Sequence, residues 1–259
     1  IGHLSFVGST EVGSVIAHAA ADRVVPTVLE LGGKSAQVVF ADADLPAAAE
    51  AIARGALQNA GQTCSAGSRV VVHRDVQAEL LDLVVQRFRA TTIGPGSEDP
   101  DLGPLVSAKQ QRRVEGFMDD LAGGELLVGG SRPDDDRLAA GAYFSPTLVH
   151  GVDPQGRLAQ EEVFGPVIAS MTFDDEEEAV TLANATAYGL LAAVWTRDLS
   201  RGHRLASALR AGQVFVNNYG AGGGVELPFG GWGKSGYGRE KGVEALDAFT
   251  QTKTVVVKL

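Results

Sequence analysis

Several things are scarce in this sequence. Of its 259 residues one is Cys (Cys64), two are Met and two are Trp. A lone thiol cannot close an internal disulfide, which points to a reducing compartment and so to the cytoplasm. Nowhere do about 18 apolar residues follow one another, so no membrane span is expected and no membrane partner. Basic side chains are outnumbered, 22 against 32 acidic, for a net charge of −10. Nucleic-acid binding needs a basic field, so nucleic acid is not an expected partner either. His3, His18, His73, His150 and His203 are scattered, with no pair at metal-ligand spacing, and no metal is expected. The chain opens on Ile1 rather than Met, and residues 1–8 carry neither a basic segment nor a cleavage site. They read as a strand already under way, so the chain is expected to be a fragment of a longer protein. The rest of the composition is that of a globular domain, 44% hydrophobic and 21% charged. A chain near this length buries roughly three quarters of its extended surface without staples.

The pattern alternates. Apolar, β-rich runs at 3–7, 24–31, 36–40, 68–73, 167–173, 192–196 and 213–217 read as strands, with an extended stretch at 143–149. Helical spacing follows Ser9, which stands where an N-cap would, with Glu11 in the first turn. It recurs after Asp44 and over 76–88, 107–122, 176–185, 200–211 and 242–249. The last of these leads to a terminal strand at 252–259. Residues 93–103, 129–141 and 220–236 are rich in Gly, Pro or Asp and read as loops. Strands alternating with helices predict an α/β fold, a mostly parallel sheet flanked by helices.

Four places could carry chemistry. Cys64, in Gly61-Gln62-Thr63-Cys64, lies between a helix and a strand. A lone Cys is usually a small buried hydrophobe, but on a loop it can also be a nucleophile. Glu30 ends an apolar run just before Gly32 and Gly33. It is either a salt-bridged turn residue or a general base on a backbone that a substrate can approach; burial would raise its pKa towards neutrality. Gly8-Ser9-Thr10-Glu11-Val12-Gly13 joins a strand to a helix without the usual G-x-G-x-x-G spacing. It still leaves free amides at a helix N-terminus, where a diphosphate could sit. Glu161-Glu162-Val163-Phe164-Gly165-Pro166 is either a charged loop or a ribose-gripping carboxylate beside an aromatic ring.

Taken in order, GSTEVG, ELGGKS, GQTC, EEVFGPV and PFGGWGKSGYGRE resemble the NAD(P)-dependent aldehyde dehydrogenase superfamily, over about the C-terminal half of a member. The resemblance implies an aldehyde dehydrogenase-like catalytic domain at 32–251. A remnant of the dinucleotide-binding domain would precede it at 1–31, and an oligomerisation strand would follow at 252–259. It implies Cys64 as nucleophile and Glu30 as general base. Gly8, Ser9, Gly13 and Leu31 would lie at the cofactor. Glu162 would hold the nicotinamide ribose, Phe164 would flank the nicotinamide, and Gln110 and Arg113 would stand near that ribose. The implied cofactor is NAD or NADP, the substrate a small aldehyde, the product its carboxylic acid, and the assembly a homo-oligomer, dimer or tetramer. Relatives that pass the acyl group to coenzyme A typically lack a Glu at the position of Glu30, so this chain resembles the hydrolytic ones. Residues 219–225 would line the substrate entrance. With one βα unit of the cofactor domain, this polypeptide by itself is expected to turn over little aldehyde. Two other readings stand beside this one: a scaffold fragment that keeps the motifs by descent, and a cofactor-independent thiol esterase using Cys64 and Glu30.

Overall fold

The computed structural model describes residues 1–121, 123–220 and 224–259. Its elements run β1 (Leu4–Val7), α1 (Thr10–Ala21), β2 (Thr27–Glu30), β3 (Ala36–Val39), α2 (Leu45–Leu57), β4 (Arg69–His73), α3 (Gln77–Ala90) and α4 (Ala108–Met118). They continue β5 (Glu125–Val128), β6 (Thr147–His150), α5 (Arg157–Gln160), β7 (Val167–Phe173), α6 (Glu176–Ala183), β8 (Leu191–Trp195), α7 (Leu199–Ala208), β9 (Gln213–Val216), β10 (Gly236–Tyr237) and α8 (Glu244–Ala248).

Most helices start where a side chain can accept the amides that a first turn leaves over. Ser9, Asp44, Ser107, Asp175 and Asp198 cap α1, α2, α4, α6 and α7 in this way. Glu176, Glu177 and Glu178 add negative charge to the positive end of α6.

The strands form two sheets. The larger has seven strands in the order β5-β6-β7-β4-β3-β8-β9. Its pairs are parallel except β5, which runs antiparallel to β6 at the edge. On one face Val38, Val71, Met171 and Val194 pack towards α4, α6 and α7. On the other, Val39, Val70, Ile168 and Trp195 pack towards α2 and α3. Burial on both faces explains why these strands read as continuous apolar runs rather than as alternating ones. The smaller sheet has the order β1-β2-β10, with β1 parallel and β10 antiparallel to β2. Gly236, at φ 104°, passes so close to the Leu29 carbonyl that no side chain would fit, which is why β10 begins on a glycine.

The structure departs from the sequence expectation in several places, among them α5 and β10, for which no element was expected. Glu125–Val128 forms β5, although its half-exposed, non-alternating ELLV carries little strand signal. Helix α4 stops at Met118 rather than running to 122, and Asp119 and Asp120 follow it. Acidic residues at a helix C-terminus oppose the dipole, which favours the earlier end. Residues 252–259 are exposed throughout and pair with no strand among the described residues. Of the expected substrate-entrance segment, residues 221–223 lie outside the described residues.

Candidate active site

Glu30 is the last residue of β2, and β1 and β10 flank it in the small sheet. Its side chain is 2% exposed, and neither carboxylate oxygen has a hydrogen-bond partner among the described residues. Loss of water pushes its pKa up to about 8; Glu240 pushes the same way and Arg239 pulls back. The carboxyl needs space, and Gly230 supplies it: a Cβ there would stand 2.6 Å from Glu30 Oε1.

After β2 the chain turns through Leu31-Gly32-Gly33 and enters the large sheet at β3. Ser235 fastens this turn. Its hydroxyl donates to the Gly32 carbonyl at 2.7 Å and accepts from the Gly189 amide at 3.0 Å, and its carbonyl accepts from the Leu31 amide at 3.0 Å. A Cβ on Gly33 would collide with the Cys64 carbonyl. The bare backbone therefore lets ELGG lie directly against GQTC.

Cys64 follows α2 through a strained turn in which Asn59, Ala60 and Gly61 all have left-handed backbones. It is half-buried. Burial raises its pKa, and the fields of Glu162 and Glu30 raise it further; the Ser65 amide and the Thr63 side chain act the other way. Glu30, at the end of a strand of the small sheet, and Cys64, on a turn leading to β4 of the large one, thus lie in one electrostatic environment.

Glu162 joins them. Its Oε1 accepts from the Gly33 amide at 2.9 Å, and the carboxylate lies so close to Gly32 that a Cβ there would stand 2.5 Å from Oε2. Burial raises its pKa against the Gly33 amide, Lys34 and Arg113. Helix α4 holds the backbone around it. Gln110 donates to the Val163 and Phe164 carbonyls at 3.2 and 2.8 Å, and Arg113 to the Glu162 carbonyl at 2.9 Å. Phe164 is left-handed at φ 58°, a conformation the clamp helps to fix.

The Gly8 amide donates to the Glu30 carbonyl at 3.1 Å, continuing the β1–β2 pairing. Gly8 and Ser9 are exposed, and the Ser9 hydroxyl caps α1 at the Val12 amide. The Thr10 hydroxyl donates to the Lys234 carbonyl at 2.8 Å. Gly13 is buried inside α1 against Leu31, where a Cβ would stand 2.5 Å from Leu31 Cδ2. Gly13 and Leu31 thereby bring α1 onto the end of β2.

Several neighbours of the site were not singled out from sequence: Glu240, Arg239, Ser235 and Lys34. All belong to motifs quoted above, but only packing reveals their roles. Lys34 is fully buried with no partner for its Nζ among the described residues. Burial lowers its pKa to about 7, helped by Arg69 and opposed by Glu162 and Glu161. Among the described residues no group of His, Cys, Asp and Glu is placed to hold a metal ion, and no helix is long and apolar enough to cross a membrane.

Known proteins share this arrangement of motifs. A family model described as "Aldehyde dehydrogenase family" matches residues 1–255. A 3,6-anhydro-alpha-L-galactose dehydrogenase of Streptomyces coelicolor is 42% identical over all of this chain and 53% of its own length. Among solved structures, a putative aldehyde dehydrogenase from Burkholderia cenocepacia superimposes with a TM-score of 0.94 at 54% identity, covering 98% of this chain and 54% of that one. A betaine aldehyde dehydrogenase from Staphylococcus aureus, in complex with NAD+, gives 0.91 at 38% identity, covering 95% and 49%. The chain spans about half the length of the relatives it matches.

Proposed function

This chain belongs to the aldehyde dehydrogenase family, and from that premise we propose that it carries the catalytic half of an enzyme oxidising an aldehyde to a carboxylic acid with NAD or NADP. The observation that supports this most is the meeting of two sequence-distant groups. Gly33, just beyond Glu30, lies against the backbone of Cys64, and the Glu30 carboxyl acts on the Cys64 thiol.

In this reading the Cys64 thiolate adds to the aldehyde carbon, and the Cys64 backbone amide helps hold the resulting oxyanion. When bound, the dinucleotide supplies a hydride acceptor. The residues present fit such a group. The first-turn amides of α1 suit a diphosphate, and the Glu162 carboxylate, fixed on Gly33 and backed by Gln110 and Arg113, suits paired ribose hydroxyls. Phe164, half-buried and left-handed, would flank the ring. Glu30 then takes a proton from water, which opens the Cys64 thioester and releases the acid. A pKa near 8 leaves Glu30 basic enough for that step and unsuited to it at low pH. A reactive thiol needs reducing surroundings, in keeping with the cytoplasm. The unpaired residues 252–259 are placed to add a strand to a second copy, making a homo-oligomer.

The test supplies an aldehyde and NAD+ and follows NADH, acid and the mass of the protein. Whatever NADH and acid the parent forms should appear in equal amounts, the yield being low for a chain with one βα unit of the cofactor domain, and Cys64→Ala should form neither. Glu30→Gln should stall after about one equivalent of NADH, with an acyl group on Cys64. Turnover of an activated ester with no NADH from any aldehyde would return the esterase reading. An inert thiol would return the scaffold reading.

A further inference from the structure

Ser65 follows the nucleophile, and its amide acts on the Cys64 sulfur, favouring the thiolate. The Ser65 carbonyl is held from elsewhere in the fold. The Tyr219 hydroxyl donates to it at 2.7 Å, and among the described residues no backbone amide does so. Tyr219 stands just beyond the end of β9 and is 3% exposed. Its ring fits against two glycines. A Cβ on Gly55 would stand 2.7 Å from ring Cδ1, and one on Gly67 3.1 Å from Cε1. Neither glycine has a left-handed backbone, so what their missing side chains provide is room: at Gly55 for the ring, and at Gly67 for the Gln37 side chain, which a Cβ there would strike first, and then for the ring. Gly55 lies inside α2, where a glycine otherwise weakens the helix.

We propose that Tyr219 is a positioning residue for the nucleophile: its hydroxyl fixes Ser65, and through Ser65 the amide that meets the Cys64 sulfur. This rests on the reading of Cys64 as the attacking group. A buried carbonyl that loses its only donor seeks another partner. The turn then relaxes, and the sulfur loses a neighbour that favours its charged form. Glu162, whose field opposes that form, stays in place, and so does Glu30, which opposes it once ionised.

Tyr219→Phe keeps the ring and removes the hydroxyl. The measurement is the rate of Cys64 alkylation by iodoacetamide across a pH series, which needs no cofactor. Circular dichroism checks the fold. The variant should alkylate about fivefold more slowly near neutrality, with its pH midpoint moved upward. Gly55→Ala, which crowds the ring off its carbonyl, should move both in the same direction, and it serves if the first variant does not fold. A folded variant with unchanged midpoint and a rate within twofold of the parent overturns the inference, even if its melting temperature drops. If the thiol of the parent protein does not alkylate at all, the nucleophile reading fails and this inference fails with it.

Discussion

Glu30 is a carboxyl with almost no water and no donor, and that has a thermodynamic sign. Its pKa is about 8 in the fold against an ordinary value of 4.5. The folded state therefore holds a proton that the unfolded state has already released. Stability from this group is fully present below about pH 4.5 and is lost as pH rises through 8. Glu30→Gln removes that dependence. Across urea unfolding at pH 5 and pH 9, the variant should gain on the parent by at least about 1 kcal/mol at the higher pH. An equal gap at both values would mean that the carboxyl is hydrated. Lys34 has the opposite sign, because its lowered pKa makes stability rise between about 7 and its ordinary value of 10.5. Working against Glu30, it flattens the parent's own profile near and above neutrality, so the difference between parent and variant is the cleaner measure. That burial would raise the pKa of Glu30 was legible in the sequence, while whether it is buried or salt-bridged at a turn was left open there and is decided by packing. That Glu240 would add to the shift was not, because the two are brought together only by the β2–β10 pairing.

At the level of elements, Ser107 matters beyond its own turn. Its hydroxyl accepts from the Gln110 amide at 3.2 Å and so begins the helix from which Gln110 and Arg113 reach the Glu162 loop. Ser107→Ala should cost about 1 kcal/mol in denaturant unfolding, the usual loss for an N-cap. It should also weaken NADH binding in a fluorescence titration, since the clamp on Glu162 and Phe164 starts there. Elements with strong local signals were readable in advance: capped helices, and central strands such as 167–173, whose bounds match β7. Elements that owe their state to a neighbour were not. β5 exists because β6 offers it an edge, and residues 252–259 meet no such edge among the described residues. The candidate site divides the same way. Cys64, Glu30 and Glu162 stand in motifs that announce themselves. The Tyr219 and Ser235 contacts span long separations, and local pattern carries no trace of them.

At the level of the whole molecule, apolar side chains gather on two outlying surfaces. Val7, Val15 and Val24 are 62%, 65% and 91% exposed around β1 and α1, and Val255, Val256 and Val257 are exposed on the terminal segment. Large exposed apolar residues in clusters mark contact surfaces. Removing residues 252–259 should leave the circular dichroism spectrum unchanged and give a smaller species in sedimentation velocity than the parent chain. An unchanged sedimentation coefficient would show that the segment takes no part in assembly.

Glu30 ends the small sheet, while Cys64 sits on a turn of the body built around the large one. On the reading proposed above their chemistry spans a joint between two blocks, held by a few stitches such as those Ser235 makes. A joint can be prised open while both blocks remain intact. A ligand or substitution that merely slides one block past the other would silence this protein without melting it, and anything that tightens the stitching would do the reverse.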